Sequence, residues 1–291
     1  MQSPLVVGVD GSESSFEAAD WAADEARRHG LPLRIVYASL WPLDEGAALA
    51  AGLGRPGGQV FAENIVRTTV GRVRHRTPDV EVTAEVLRED TVPALLREGR
   101  HALALVTGSR GRGDIAGLLL GSVSLAVAAK AHCPVIVVRG DEAGRAGTHQ
   151  RIMLGVGQAD VDSEAVRFAF REAELRGCTL EVVRAWRRPA HESTDHPLLA
   201  GDPAHYHEAQ ASALLDKVLK TAVSDHPDVR VKRATVEGPA RKVLLARSAA
   251  ADLLVVGARR RHSEFGLQLG RVAHTVLHHA SCPVAVVPRT A

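Results

Sequence analysis

Short apolar runs alternate with amphipathic stretches along the whole chain. Leu5 to Val9 is an unbroken apolar run of strand length. Ser14 to His29 follows, with Phe16, Ala19, Ala22, Ala23 and Ala26 along one helical face and Gly30 just past its end. Leu33 to Ala38 is a second strand, Val60 to Arg76 a helix, Val80 to Val86 a strand and Thr91 to Gly99 a short helix. Leu103 to Thr107, Ser122 to His132 and Val135 to Val138 complete the set as strand, helix and strand. Residues Ile152 to Val287 repeat the same reading. Continuous apolar strands separated by helices predict an α/β fold with parallel sheets covered on both faces. Sheets of this doubly wound kind take ligands beyond the carboxyl ends of their strands, at the topological switch point.

The chain also repeats itself. Gly8-Val9-Asp10 returns as Gly155-Val156-Gly157, Leu33 to Ala38 as Leu180 to Ala185, and Cys133-Pro134-Val135 as Cys282-Pro283-Val284. Two copies of this length indicate a duplicated domain rather than a solenoid. The 291 residues suit two domains of about 145 each. The expected limits are 1–140 for the first, 141–150 for a polar, glycine-rich flexible linker, and 151–291 for the second.

Composition narrows the function classes. A formal net charge of +2 gives no long-range pull on nucleic acid, and 3% aromatic residues leave few stacking platforms for single strands. Neither a nucleic-acid nor a membrane partner is expected, because no apolar run approaches the roughly 20 residues of a spanning helix. Met1-Gln2-Ser3-Pro4 runs directly into a strand without the layout of a signal peptide. Cys133, Cys178 and Cys282 are odd in number and far apart, so a reducing cytoplasm is the expected location.

One segment carries chemistry. Gly108-Ser109-Arg110-Gly111 follows a strand, and Gly121-Ser122-Val123 opens a helix after nine intervening residues. Glycines let backbone approach phosphate closely, and a helix start offers unpaired N–H groups with the positive end of a dipole. Ser122 adds a hydroxyl, so the segment reads as a nest for anionic oxygens. A glycine-rich connection of this kind also occurs as a plain tight turn.

The spacing G-x2-G-x9-G-S, with Asp10 after the first strand and Cys-Pro before the last, resembles the ATP-binding motif of the universal stress protein family. The resemblance covers nearly the whole first half. It implies two tandem Rossmann-like five-stranded domains of strand order 3-2-1-4-5. It also implies an ATP-binding regulatory role in a stress response, with ATP accompanied by Mg2+ or Mn2+. Asp10 would recognise adenine or ribose and Ala38 would touch the base. Gly108 and Gly111 would line ribose and phosphates, while Gly121, Ser122 and Val123 would hold the terminal phosphates. The partners implied are an adenine nucleotide and an unidentified protein. The last strands of the two halves would make the chain an intrachain pseudo-dimer, with a homodimer as a further possibility. Glu89-Asp90-Thr91 departs from the family form, which Glu237-Gly238-Pro239 keeps, and would alter the pocket wall.

The second half departs further. Gly157 replaces Asp10, Arg260 replaces Gly111 and Arg271 replaces Ser122, leaving only Gly257 and Gly270. Loss of ATP binding there is the expectation, with rebuilding for another anion as the alternative.

No catalytic residue is assigned and no protein metal ligands are expected. His191, His196, His205 and His207 lie in a Pro-rich stretch that reads as a solvated loop, and their spacing matches no structural zinc pattern. His278-His279 falls in a last helical turn, where positive charge suits the dipole. Arg259-Arg260-Arg261-His262 reads as a loop. The first strand lacks the G-x-G-x-x-G of dehydrogenases, and no G-x4-G-K-[ST] string of P-loop enzymes occurs. The chain is therefore read as no enzyme, with slow ATP hydrolysis or a structural pseudo-dimer with a vestigial site as alternatives.

Overall fold

Leu5, Val6 and Val7 are at most 1% exposed, as a strand covered on both faces requires. The computed structural model describes residues 3–40, 57–111, 120–157, 163–188, 203–258, 261–263 and 266–288. They fall into two compact units, Met1–Arg139 and Gly140–Ala291.

In the first unit the strands are β1 (Leu5–Gly8), β2 (Leu33–Ala38), β3 (Val82–Leu87), β4 (Ala104–Gly108) and β5 (Val135–Val138). Their order is β3-β2-β1-β4-β5, and every pairing is parallel. The helices are α1 (Glu13–His29), α2 (Gly57–Arg76), α3 (Thr91–Glu98) and α4 (Ser122–Lys130). α1 packs with α2, and α3 with α4. The expected elements are present with ends displaced by a few residues, the usual uncertainty of a boundary.

α1 shows why these residues become a helix. Ser12 caps its start by accepting from the Ser15 N–H, and Gly30 ends it in a left-handed turn. Ala18, Ala19, Ala22, Ala23 and Ala26 are fully buried, so a small-residue face lies close on the sheet. Its outer side meets α2 through Arg72–Asp20 and Arg76–Asp24, each at 2.7 Å. Exposed pairs of this kind contribute about 0–1 kcal/mol each and mainly fix register.

The second unit contains β6 (Arg151–Gly155), β7 (Thr179–Trp186), β8 (Val231–Glu237), β9 (Leu253–Ala258), a hairpin β10 (Arg261–Ser263) and β11 (Gly266–Gln268), and β12 (Val284–Pro288). Its parallel strands run in the order β8-β7-β6-β9-β12, the topology of the first unit. Its helices are α5 (Glu142–Ala146), α6 (Glu164–Arg176), α7 (Pro203–Asp225), α8 (Ala240–Ser248) and α9 (Arg271–His279). Among the described residues no helix is long and apolar enough to cross a membrane.

Three local expectations are corrected. The stretch 141–150 is not a flexible linker but the opening of the second unit. Asp141 caps α5 by accepting from the Gly144 N–H at 2.8 Å, and its own N–H donates to the Ser281 carbonyl at 3.1 Å. Gly140 has φ +87°, and a Cβ there would lie 2.1 Å from the Ser281 oxygen, so only glycine fits. The Asp252 carboxylate, 3% exposed, then accepts from the His149 N–H at 2.9 Å and the Arg151 N–H at 3.0 Å. His205 and His207 lie in the first turns of α7 rather than in a loop, since Pro203 opens that helix. Arg261 and His262 belong to the β10 strand, while His191, His196, Arg259 and Arg260 fall outside the described residues.

Candidate functional site

β1 and β4 are neighbours, yet the chain leaves them toward opposite faces, α1 on one side and α4 on the other. That divergence opens a crevice at their carboxyl ends. A cleft of about 510 Å³ lies there. Asp10, Ala38, Gly108, Gly111, Gly121, Ser122 and Val123, the residues singled out by sequence, all line it.

The β1–α1 turn is tied by short side chains. Asp10 Oδ1 accepts from the Ser12 N–H at 3.0 Å and from the Ser12 hydroxyl at 2.7 Å. Ser15 Oγ accepts from the Gly11 N–H at 3.2 Å and donates to the Ser12 carbonyl at 2.8 Å. These bonds hold the carboxylate at the cleft as an oriented group.

The β4–α4 loop meets that turn closely. A Cβ on Gly108 would sit 2.6 Å from the Ser14 carbonyl oxygen, and one on Gly111 would sit 2.8 Å from Asp10 Oδ2. The Arg110 N–H donates to Ser14 Oγ at 3.2 Å. The Gly121 N–H donates to the Ser109 carbonyl at 2.8 Å, bringing the second glycine block back onto the first. Ser124 Oγ donates to the Gly108 carbonyl at 2.7 Å and locks the end of β4 to the first turn of α4. Gly121 caps α4 without a side-chain hydrogen bond. The N–H groups of Ser122 and Val123 have no intrahelical acceptor by helix geometry, so their positive ends face the cleft.

The rest of the cleft is mainly apolar, with Val9, Val36, Tyr37, Ala38 and Leu95. Thr91 departs from the apolar wall, and its hydroxyl donates to the Ala38 carbonyl at 2.7 Å. Asp90 beside it caps α3 by accepting from the Val92 N–H, and Glu89 pairs with Arg97. The unusual Glu-Asp-Thr turn thus builds the start of α3 and sends only Thr91 to the wall.

Sequence reasoning missed Thr107. It is 4% exposed, lines the cleft, and its Oγ1 has no hydrogen-bond partner among the described residues. A buried hydroxyl left without any partner costs about 1–3 kcal/mol, so at the cleft wall Thr107 Oγ1 is available to water or to a bound molecule. Strand alternation alone would mark Thr107 as one more core position.

The second unit arranges the equivalent region differently. Arg184 stands where the first unit has Tyr37, and its Nη1 donates to the Val156 carbonyl at 3.2 Å. Burial lowers its pKa from the usual guanidinium range. The described residues of that region line a cavity of about 700 Å³ beside Arg184 and Trp186 and another of about 260 Å³ beside Arg241 and Arg271.

Comparison with known proteins agrees with this architecture. A universal stress protein of Mycobacterium tuberculosis is 33% identical over 304 residues, covering 98% of this chain and 97% of that protein. Another from Mycolicibacterium smegmatis is 29% identical, covering 97% and 96%. The crystal structure of a universal stress protein from Archaeoglobus fulgidus matches at a TM-score of 0.72 with 18% identity, covering 100% of both chains. The family model described as "Universal stress protein family" matches twice, at residues 1–139 and 148–288. With both units matched and a relative aligned along almost its full length, this chain belongs to the universal stress protein family.

Proposed function

We propose that the first unit binds ATP and that the protein acts as a nucleotide-responsive regulator in a stress response. The observation that carries this reading is the meeting of the Asp10 carboxylate, the Gly108–Gly111 backbone and the start of α4 in one cleft. The apolar wall suits a base, with Ala38 and Tyr37 against its face. Asp10 would accept from an adenine amine or a ribose hydroxyl. Gly108 and Gly111 let the sugar and first phosphate approach the backbone, and Gly121, Ser122 and Val123 would donate to the distal phosphates. The orphaned Thr107 hydroxyl gains a partner in this arrangement.

Among the described residues Asp10 is the one carboxylate lining the cleft, and its Oδ1 accepts two bonds from Ser12. A Mg2+ or Mn2+ ion would therefore be held chiefly by the phosphates and water, as is usual for Mg2+. The protein's part is to orient the phosphates through Ser122 and the α4 N–H groups. A protein partner would read the loaded state. Cytoplasmic location is supported by three cysteines that are all free and buried.

Titration of ATP, AMP and GTP into wild type, Asp10→Ala and Ser122→Ala tests the reading. Asp10→Ala should weaken ATP binding by about 1.5–3 kcal/mol and blunt the preference over GTP. Ser122→Ala should mainly reduce the preference for ATP over AMP. Ser122→Ala should melt close to wild type, whereas Asp10→Ala should lose about 1–3 kcal/mol because Asp10 Oδ1 accepts both Ser12 bonds that tie the β1–α1 turn, so binding is compared well below its melting temperature. ATP binding to Asp10→Ala at wild-type strength would refute the assignment.

A further inference from the structure

The smaller cavity of the second unit is lined by Arg187, Pro239, Ala240, Arg241, Arg271 and Val272. Three of these are arginines and none is acidic. Elsewhere in the chain arginines are commonly paired, as in Arg72–Asp20, Arg76–Asp24, Arg34–Glu98 and Arg188–Glu237. Arg187, Arg241 and Arg271 have no ion pair among the described residues.

Their placement adds to the imbalance. Arg271 is the first residue of α9, and Arg241 lies in the first turn of α8. Pro239 and Gly270 cap these nine-residue helices without a side-chain hydrogen bond. Helix starts favour negative side chains, and α1 and α6 follow that rule with Glu13 and Glu164. Among the described residues, two positive helix ends and three guanidinium groups converge on one hollow with no carboxylate to balance them. The adjacent 700 Å³ cavity shares Arg187 and Ala240 and adds Arg184 and Lys217, with no acid among its described lining residues. The Arg184 Nε is buried without a partner.

We propose that this cavity binds a compact oligophosphate group, pyrophosphate or a short phosphate chain, without reading a base. Charge favours a multiply charged ligand, since the arginines and two helix ends together present close to four positive charges. Size favours a compact one, since about 260 Å³ lies below the roughly 300–1,000 Å³ usual for small-molecule pockets. Guanidinium groups also match phosphate oxygens in a bidentate manner. The site would hold its ligand through side chains, whereas the first unit presents mainly backbone N–H groups and Ser122. It does not depend on the ATP reading of the first unit.

Calorimetry on the full chain at low ionic strength, with sodium pyrophosphate as titrant, tests the proposal. Wild type should bind pyrophosphate more tightly than sulfate. Arg241→Gln with Arg271→Gln should weaken the pyrophosphate site by about a hundredfold, tenfold for each lost charged contact. Arg188→Gln, which removes a guanidinium already paired with Glu237, should bind as wild type does. All three arginines are exposed or half-buried surface groups, so the variants should melt like wild type. Binding unchanged in the double variant overturns the proposal, as does sulfate binding at pyrophosphate strength. Tighter arginine-dependent binding of a single-stranded oligonucleotide than of pyrophosphate would assign the patch to nucleic acid and overturn it too.

Discussion

Replacing Gly108 by alanine should distort the first unit at the point where β4 meets α1. The new Cβ would lie 2.6 Å from the Ser14 carbonyl oxygen, 2.6 Å from Ser14 Oγ and 2.7 Å from the Ser14 carbonyl carbon. Ordinary Cβ contacts begin near 3.4 Å, so the shortfall is close to 0.8 Å. Two of the obstructing atoms are backbone in the first turn of α1 and cannot swing aside. The third, Ser14 Oγ, is engaged by the Arg110 N–H. Relief therefore needs a shift of the strand end or the helix, an overpacking strain of about 1–3 kcal/mol. For a unit of this size that is a fall in melting temperature of roughly 3–15 °C. Gly121→Ala is the matched control, because the nearest atom to its Cβ is 3.7 Å away. It should cost little beyond the modest preference of a helix cap for glycine over alanine. Thermal and urea unfolding of both variants, followed by circular dichroism, provide the comparison. If Gly108→Ala melts with wild type, or if Gly121→Ala falls as far, the close approach of β4 to α1 is not what the residue is for.

Two further outcomes follow from burial. Thr107→Val keeps the shape of the side chain and removes its orphaned hydroxyl. It should stabilise the nucleotide-free protein by up to about 1 kcal/mol while weakening ATP binding roughly two- to tenfold, and unchanged ATP affinity by calorimetry would dismiss Thr107 as a ligand contact. Burial pushes the Cys133 thiol from its usual 9.0 up to about 11. At pH 8 its thiolate fraction should fall roughly a hundredfold, so a disulfide reagent should label it slowly in the native protein and quickly in urea. The folded thiol keeps its proton to about pH 11 whereas the unfolded one loses it near 9. The first unit should therefore lose stability as pH rises between those values, a trend urea titrations at pH 8 and pH 10 would reveal.

The strands were legible because each is an apolar run that local pattern alone defines, as with Leu33–Ala38. The glycine and serine positions that line the cleft were legible because their spacing marks a close-packed strand-to-helix connection. What escaped depends on partners distant in the chain. Thr107 reads as a core strand residue until the crevice beside it is seen. Thr91 reads as a helix start until its hydroxyl meets the Ala38 carbonyl. Residues 141–150 are polar and rich in glycine, the composition of a free loop. What holds them is Asp252 and Ser281, more than a hundred residues away. Pro203 belongs to the Pro-rich stretch that reads as a loop, although proline is well tolerated in the first turn of a helix.

The anchoring of residues 140–150 has a practical bearing on how the protein can be divided. The second family match begins at residue 148, and the first strand of that unit at Arg151. A fragment cut to start at Arg151 would lack the His149 N–H and the whole α5 turn. The buried Asp252 carboxylate would then keep only one of its two backbone donors, and the Ser281 carbonyl would lose the Asp141 N–H. A fragment starting at Gly140 retains all of them. Limited proteolysis should leave these residues intact, and the smallest separately expressible piece should begin at Gly140.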